Sequence, residues 1–270
     1  LLCGLIFLLS MPEKSSPAVY ESMQATTTTN PKPDNEVIPQ TEPMSFETIE
    51  QAEEYVKEYA DKKGYDINDY PEKLIELMVK DKTSIPFVLD YPLEITKEHN
   101  SVISDSELED GVPLFLQWDA RWGYHSFKNG VVALDGCGAA CLSMVAVYLT
   151  GDTGLTPDVI ADYAAENGYF VDGSGTSWDL FTKGINHYGL KSKNVSNSND
   201  AIINALSKGD PIIASVGAGD FTKKGHYIVI VGYDDDGFIV NDPYSLVNSQ
   251  KRWSYERLAP QIKTMWQIYK

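Results

Sequence analysis

The stretch from Gly136 to Gly151 reads Gly-Cys-Gly-Ala-Ala-Cys-Leu-Ser-Met-Val-Ala-Val-Tyr-Leu-Thr-Gly and carries a long helical signal. Its larger apolar residues recur at the spacing of one helical face: Leu142, Val145, Ala146 and Leu149. The pattern predicts a helix from Cys137 to Leu149. Cys137 then stands at the mouth of the helix, where unpaired backbone N–H groups and the helix dipole favour a negative charge.

A cysteine at this position needs a cationic partner to act as a nucleophile. Lowering a thiol pKa from about 8.5 to about 7 takes roughly 2 kcal/mol, whereas a helix dipole supplies about 0.3–1 kcal/mol. A protonated histidine is the usual second contribution. Of the four histidines, His226 begins the strongest predicted strand, and a strand holds an imidazole more rigidly than a loop does. We therefore predict Cys137 as the nucleophile and His226 as its base.

Asp242 follows the next predicted strand, and its carboxylate can accept the second N–H of the histidine. A three-residue hairpin loop at Asp235–Gly237 would pair residue 230 with Asp242 and place Asp242 on the same face as His226. In a regular ladder the two side chains stay about 13 Å apart along the strand. We therefore expect the strands to bend or slip near Gly232.

Gln117 is the predicted fourth member of the site. A tetrahedral oxyanion needs prearranged donors, and a glutamine amide can act together with the backbone N–H of Cys137. This chemistry needs no cofactor and no metal, and we predict neither. The acidic run Asp234–Gly237 lacks the alternate spacing of a calcium loop, so it is predicted to be a turn.

Predicted helices come before predicted strands in the second half of the chain. Helices are expected to begin at Thr156-Pro157 and to cover Ser177–Tyr188 and Asp200–Lys208. Runs of β-branched and aromatic residues predict four later strands: Pro211–Val216, His226–Tyr233, Phe238–Asn241 and Met265–Tyr269. This order favours an α+β fold with an antiparallel sheet.

The N-terminal part divides into two segments that lack a globular pattern. Residues 1–10 are nearly all apolar, but the run is much shorter than the roughly 20 residues of a bilayer span. We interpret them as a truncated signal peptide or membrane anchor. Residues 11–44 are rich in Pro, Thr and Ser and are predicted to be a disordered linker.

Residues 45–110 are predicted to be a helical prelude to the main domain, residues 111–270. A first helix is expected after a cap at Ser45 and a second with Pro71 at its first position. So small a segment makes a marginal core by itself. We therefore expect it to pack on the main domain.

Charge and cysteine content exclude several classes of function. A net charge of −17 repels phosphate backbones, so nucleic acid is not an expected partner. Three cysteines are too few for a disulfide framework, and Cys137 and Cys141 are predicted to be free thiols. We expect a monomer that is exported by a bacterium and acts outside the cell or at its surface, with the N-terminus as a possible membrane tether.

Several separated motifs resemble the stand-alone bacterial relatives of the bacteriocin-processing cysteine peptidases, a papain-like group. They are QWDARW from Gln117, GCGAACLSMVAVYLTG from Gly136, GSGTSW from Gly173, FTKKGHYIVIVGYDDDG from Phe221 and VNDP from Val240. The resemblance implies a papain-like fold, in which the nucleophile helix packs on the sheet, and the same roles for Cys137, His226, Asp242 and Gln117. The named enzymes lie within export transporters and cut leader peptides after paired glycines. The chain shows no transporter segment, so that specificity is not carried over.

The sequence therefore predicts an exported thiol-dependent peptidase that hydrolyses peptide or isopeptide bonds of a peptide or protein substrate through a Cys137 thioester. Two alternatives stay open. The same residues would serve amide-group transfer, because water and amines differ only in what attacks the acyl-enzyme. A non-catalytic cell-surface binding module on a peptidase fold is the other, since a fold does not fix a function.

Overall fold

The computed structural model describes residues 44–173 and 175–270. The predicted signal or anchor at 1–10 and the linker up to residue 43 lie outside the described residues. In the part that is described, no helix is both long enough and apolar enough to cross a membrane.

In the described residues up to 110, the prelude contains three α-helices: α1 (Ile49–Lys63), α2 (Glu72–Lys80) and α3 (Ile85–Glu94). Thr48, and not Ser45 as predicted, caps α1 by accepting a hydrogen bond from the Gln51 backbone N–H. Pro71 precedes α2 instead of opening it. Gly64, with φ 74°, ends α1 as expected for a left-handed cap.

The prelude shares its hydrophobic core with the main domain. Val56, Leu74 and Met78 are fully buried in one cluster with Trp118 and Tyr124, which lie beyond residue 110. The Tyr124 ring also stacks on a prelude ring, Phe87, with centroids 4.1 Å apart. The helices thus bury their apolar face against the main domain.

The part of the main domain that the structure describes contains seven further α-helices: α4 (Val132–Asp135), α5 (Cys137–Thr150), α6 (Pro157–Glu166), α7 (Asp179–Thr182), α8 (Asn199–Leu206), α9 (Leu246–Ser249) and α10 (Tyr255–Leu258). The prediction of one helix over Ser177–Tyr188 is wrong, because α7 ends at Thr182 and a 3₁₀ turn covers Gly184–Tyr188. A Cβ atom at Gly184 would come within 2.9 Å of the Tyr169 ring. Because of this close contact, position 184 favours glycine. Glycine is a poor helix former, and the helix breaks there.

The described strands are β1 (Ser126–Phe127), β2 (Gly130–Val131), β3 (Phe170–Val171), β4 (Gly175–Thr176), β5 (Lys191–Asn194), β6 (Ile212–Val216), β7 (His226–Asp234), β8 (Gly237–Asn241), β9 (Arg252–Trp253) and β10 (Ile262–Tyr269). Six of them form one antiparallel sheet in the order β5-β10-β6-β7-β8-β9. The edge strands β5 and β9 were not predicted, because one is polar and the other is only two residues long.

The sheet is covered on both faces, and α5 packs directly on β7. Ile213 and Val229 join the core around α5 and α6, whereas Ile212 and Ile228 join the core that contains α8. Neighbouring residues of a strand point to opposite faces, so each central strand supplies both cores. The α+β class and the papain-like arrangement, a helix led by cysteine on an antiparallel sheet, are confirmed.

The β7–β8 hairpin differs from its prediction in loop length. Asp234 pairs with Gly237, so the loop consists of the two residues Asp235 and Asp236 instead of three. Gly237 has φ 136°, and a Cβ atom there would meet the Trp253 carbonyl oxygen at 2.7 Å. A glycine is therefore required where β9 approaches the hairpin.

A bulge then shifts the hairpin register between Ile230 and Gly232. Beyond it, Val229 pairs with Asn241. One residue further, this register sets Asp242 opposite residue 228, which is only about 7 Å along the strand from His226. Without the bulge Asp242 would lie opposite residue 229 and face the other side of the sheet. The predicted bend near Gly232 therefore exists, and it brings the acid to the histidine.

Candidate active site

Cys137 is the first residue of α5. It lies between Gly136 and Gly138, where neighbouring atoms leave no room for a side chain. A Cβ atom at Gly136 would lie 2.5 Å from the Val132 carbonyl oxygen, and one at Gly138 would lie 2.5 Å from the Thr176 Cβ atom. The tight turn from α4 into α5 and the close strand β4 fix the helix start. Cys137 is partly exposed, so its thiol is accessible while the first-turn N–H groups surround it.

His226 contacts both Cys137 and Asp242. Its Nε2 atom donates to Asp242 Oδ1 over 2.7 Å, and the two side chains are 8 % and 0 % exposed. The Cys137 thiol lies near enough to the ring to help raise the pKa of His226. Since Nε2 is engaged by the carboxylate, Nδ1 is the ring nitrogen left for the thiol. The structure therefore brings together these three predicted residues.

The charge of Asp242 decides the protonation of His226. Burial disfavours the cationic ring, but the Asp242 carboxylate and the contact with Cys137 outweigh it and raise the pKa of His226 to about 9. The His226 charge in turn helps to lower the pKa of Asp242, although burial opposes this. An imidazolium at neutral pH is the partner that a Cys137 thiolate needs.

Asp242 is held by residues that the sequence analysis missed. Asn248 Nδ2 donates to Asp242 Oδ2 over 2.8 Å, and the Tyr244 backbone N–H donates to Oδ1 over 2.9 Å. The Asp242 backbone N–H donates to Ser249 Oγ over 2.9 Å. No motif marks Asn248 or Ser249, because their position depends on the short helix α9 folding back over the end of β8.

Gln117 lies beside the turn that leads into Cys137. Its side chain is 1 % exposed, and Nε2 donates to the Ala133 carbonyl over 2.7 Å. Its backbone N–H donates to the Pro243 carbonyl over 2.7 Å. The Ala133 contact fixes which end of the amide is the donor, and an NH₂ group keeps a second hydrogen for another acceptor. An oxyanion donor role is compatible with this placement and stays a prediction.

The second cysteine of the described residues, Cys141, and the histidines His125 and His187 lie elsewhere. Cys141 is fully buried, and burial raises the pKa of its thiol, so it is an inert core residue. His125 pairs with Asp162 on the surface at 2.8 Å, and His187 stacks on Tyr163. Within residues 44–173 and 175–270, no group of three His, Cys, Asp or Glu side chains is close enough together to hold a metal ion.

We expect the stability of the protein to fall as the pH rises through about 9. The folded-state pKa of His226 lies above the reference value of 6.5. Its contribution is therefore complete below about pH 6.5 and is lost as the pH passes about 9. The effect is on the order of a few kcal/mol. Urea unfolding at pH 6 and pH 9.5 measures it, and a gap between wild type and His226→Gln that does not narrow at high pH contradicts it.

A buried histidine and aspartate beside a cysteine at a helix start define a papain-like cysteine peptidase arrangement. A model of the Peptidase C39-like family matches residues 109–270, and the chain belongs to this family. The family points to a cysteine peptidase.

Solved structures that are similar to the chain include two peptidases. The peptidase domain of Streptococcus ComA, a bifunctional ABC transporter involved in a quorum-sensing pathway, is 21% identical, with a TM-score of 0.39, over 50% of this chain and 90% of that domain. A C39-like peptidase from Bacillus anthracis is 14% identical, with a TM-score of 0.35, over 64% of this chain and 99% of that one. The comparison with curated proteins gave no match.

Proposed function

We propose that the protein is an exported thiol peptidase that hydrolyses peptide or isopeptide bonds through a thioester on Cys137. The observation that carries the proposal is the placement of His226, whose ring is hydrogen-bonded to the buried Asp242 and lies next to Cys137. Such an arrangement serves acyl transfer, because it both ionises the nucleophile and holds the proton that the leaving group needs.

In the proposed reaction the Cys137 thiolate attacks the scissile carbonyl and forms a tetrahedral intermediate. The backbone N–H of Cys137 and the free N–H of Gln117 Nε2 are the donors available to its oxyanion. His226 gives its proton to the departing amine, and the C–N bond breaks to leave a thioester. His226 then takes a proton from water, the hydroxide attacks the thioester, and the thiolate returns.

A thiol-directed electrophilic peptide probe tests this proposal on the full-length chain. We expect the probe to label the wild type and Cys141→Ala, and not Cys137→Ala. Cys141→Ala is the matched control because the side chain is fully buried. Hydrolysis of a peptide library, followed by mass spectrometry, should depend on Cys137 in the same way. A folded wild-type protein that neither labels nor cleaves would contradict the proposal and favour a binding module.

Amide-group transfer is separated from hydrolysis by the product. With a primary amine added in excess, a transferase gives a new amide, whereas a hydrolase gives mainly the free acid. We expect the free acid to dominate, because Cys137 is partly exposed to solvent and water competes for the thioester at its bulk concentration.

A further inference from the structure

The ammonium group of Lys80, the last residue of α2, lies between the two segments that carry His226 and Asp242. Its Nζ atom donates to the Phe221 carbonyl over 2.7 Å, in the loop that enters β7 at His226. The same atom lies 4.5 Å from the centroid of the Tyr244 ring, just beyond Asp242. Tyr244 in turn meets the His226 ring edge to face, with centroids 6.2 Å apart.

Lys80 is exposed along its side chain, yet its charged end turns toward buried groups. Phe221 is 1 % exposed and Asp242 is 0 % exposed. Burial lowers the pKa of Lys80, and the charges of Asp242 and Asp81 oppose that shift. Lys80 in turn helps to lower the pKa of Asp242. A cation is thus held where it interacts with the acid that orients the histidine.

The next residue, Asp81, contacts the same segment from a second side. It is 1 % exposed, and its Oδ2 atom accepts the backbone N–H of Leu246 over 2.7 Å. Leu246 begins α9, the helix that carries Asn248, and Asn248 donates to Asp242 Oδ2. A continuous chain of hydrogen bonds and helix backbone therefore leads from the prelude to the buried carboxylate.

We propose that Lys80 and Asp81 are positioning residues for the His226–Asp242 pair, so that the prelude completes the active site. This inference rests on the proposed function. The charged and titratable groups near the pair are Cys137, Cys141, Lys80 and Tyr244, with Tyr227 near the two cysteines, Asp81 behind Lys80 and Glu76 near Tyr244. Lys80 supplies the one cation among them besides His226 itself, so removing it changes the local charge in a known direction.

The test measures peptide hydrolysis and the rate of iodoacetamide alkylation at Cys137 against pH, in the full-length chain. Lys80→Met keeps the aliphatic stem and removes the charge. We expect kcat/KM to fall about tenfold or more, mainly in kcat, because a misplacement of about 1 Å can cost on the order of 10²-fold. Loss of the cation favours a protonated His226, so the pH at which His226 loses its proton should rise by roughly half a pH unit. This rise moves the basic limb of the hydrolysis profile and the high-pH change in the alkylation rate in the same direction.

Lys82→Met is the matched control, since Lys82 is a nearby exposed lysine outside these contacts, and we expect it to behave as the wild type. Lys80→Arg should restore most of the activity and the wild-type pH profile. Asp81→Asn should lose activity without the upward shift, because it removes a negative charge. Melting temperatures show that the variants are folded.

The inference is overturned if the pH profile of Cys137 alkylation in Lys80→Met is the same as in the wild type and in Lys82→Met. This holds whether or not the wild type hydrolyses peptides. A wild type that shows the Cys137 alkylation profile but cleaves no peptide contradicts the proposed function alone. In that case the alkylation shift in Lys80→Met still supports the positioning role.

Discussion

Replacing His226 with glutamine is expected to lower kcat/KM at least about 10⁴-fold, the upper range for loss of a general base that also ionises the nucleophile. The variant has no imidazolium to stabilise the Cys137 thiolate and no proton for the leaving amine. It also leaves Asp242 buried without its cationic partner. Breaking a buried ion pair on one side typically costs about 3–5 kcal/mol of folding stability, so we expect a lower melting temperature as well.

Steady-state kinetics and urea unfolding measure the two effects of His226→Gln separately. His125→Gln is the matched control, because His125 pairs with Asp162 at the surface and is 36% exposed. We expect this control to keep wild-type activity within about twofold. Activity in His226→Gln comparable with the control would show that another group takes the proton, and the assignment of the base would be wrong.

The positions of Cys137 at a helix start and of His226 on a central strand could be predicted, because each depends on the pattern of residues next to it in the chain. The period of the α5 sequence and the glycine before it place Cys137 at a helix start, and the β-branched run after His226 marks a central strand. Both are local properties of the chain, and such properties set helix and strand formation. The α+β class followed from the order of these elements along the sequence.

The remaining parts of the site depend on contacts between distant residues. A regular ladder left Asp242 about 13 Å along the strand from the histidine, so the sequence indicated that the strands must bend or slip, but the two-residue loop and the bulge between Ile230 and Gly232 that set the register were seen only in the structure. Asn248 is placed by the fold of α9. Lys80 lies more than a hundred residues before both His226 and Asp242 in the chain, and no spacing rule connects such residues.

Replacing Asp242 with asparagine removes the negative charge of the side chain but keeps its shape. In Asp242→Asn the amide oxygen can still accept from His226 Nε2 and from the Tyr244 N–H, so the ring keeps an orienting partner. The charge that outweighs burial in holding the His226 proton is gone. The pKa of His226 should therefore fall well below about 9, and the ring should be largely neutral at pH 7.

We expect kcat/KM of Asp242→Asn to fall roughly 10²- to 10⁴-fold, since papain-like sites tolerate an asparagine as orienting residue but here Asn248 Nδ2 faces the new amide N–H₂ donor. The basic limb of the pH profile should move down, opposite to the shift expected for Lys80→Met. Asp235→Asn, in the exposed hairpin loop, is the control for the change in charge. A basic limb that stays in place in Asp242→Asn would mean that the carboxylate charge does not set the protonation of His226, and the imidazolium at neutral pH would need another source.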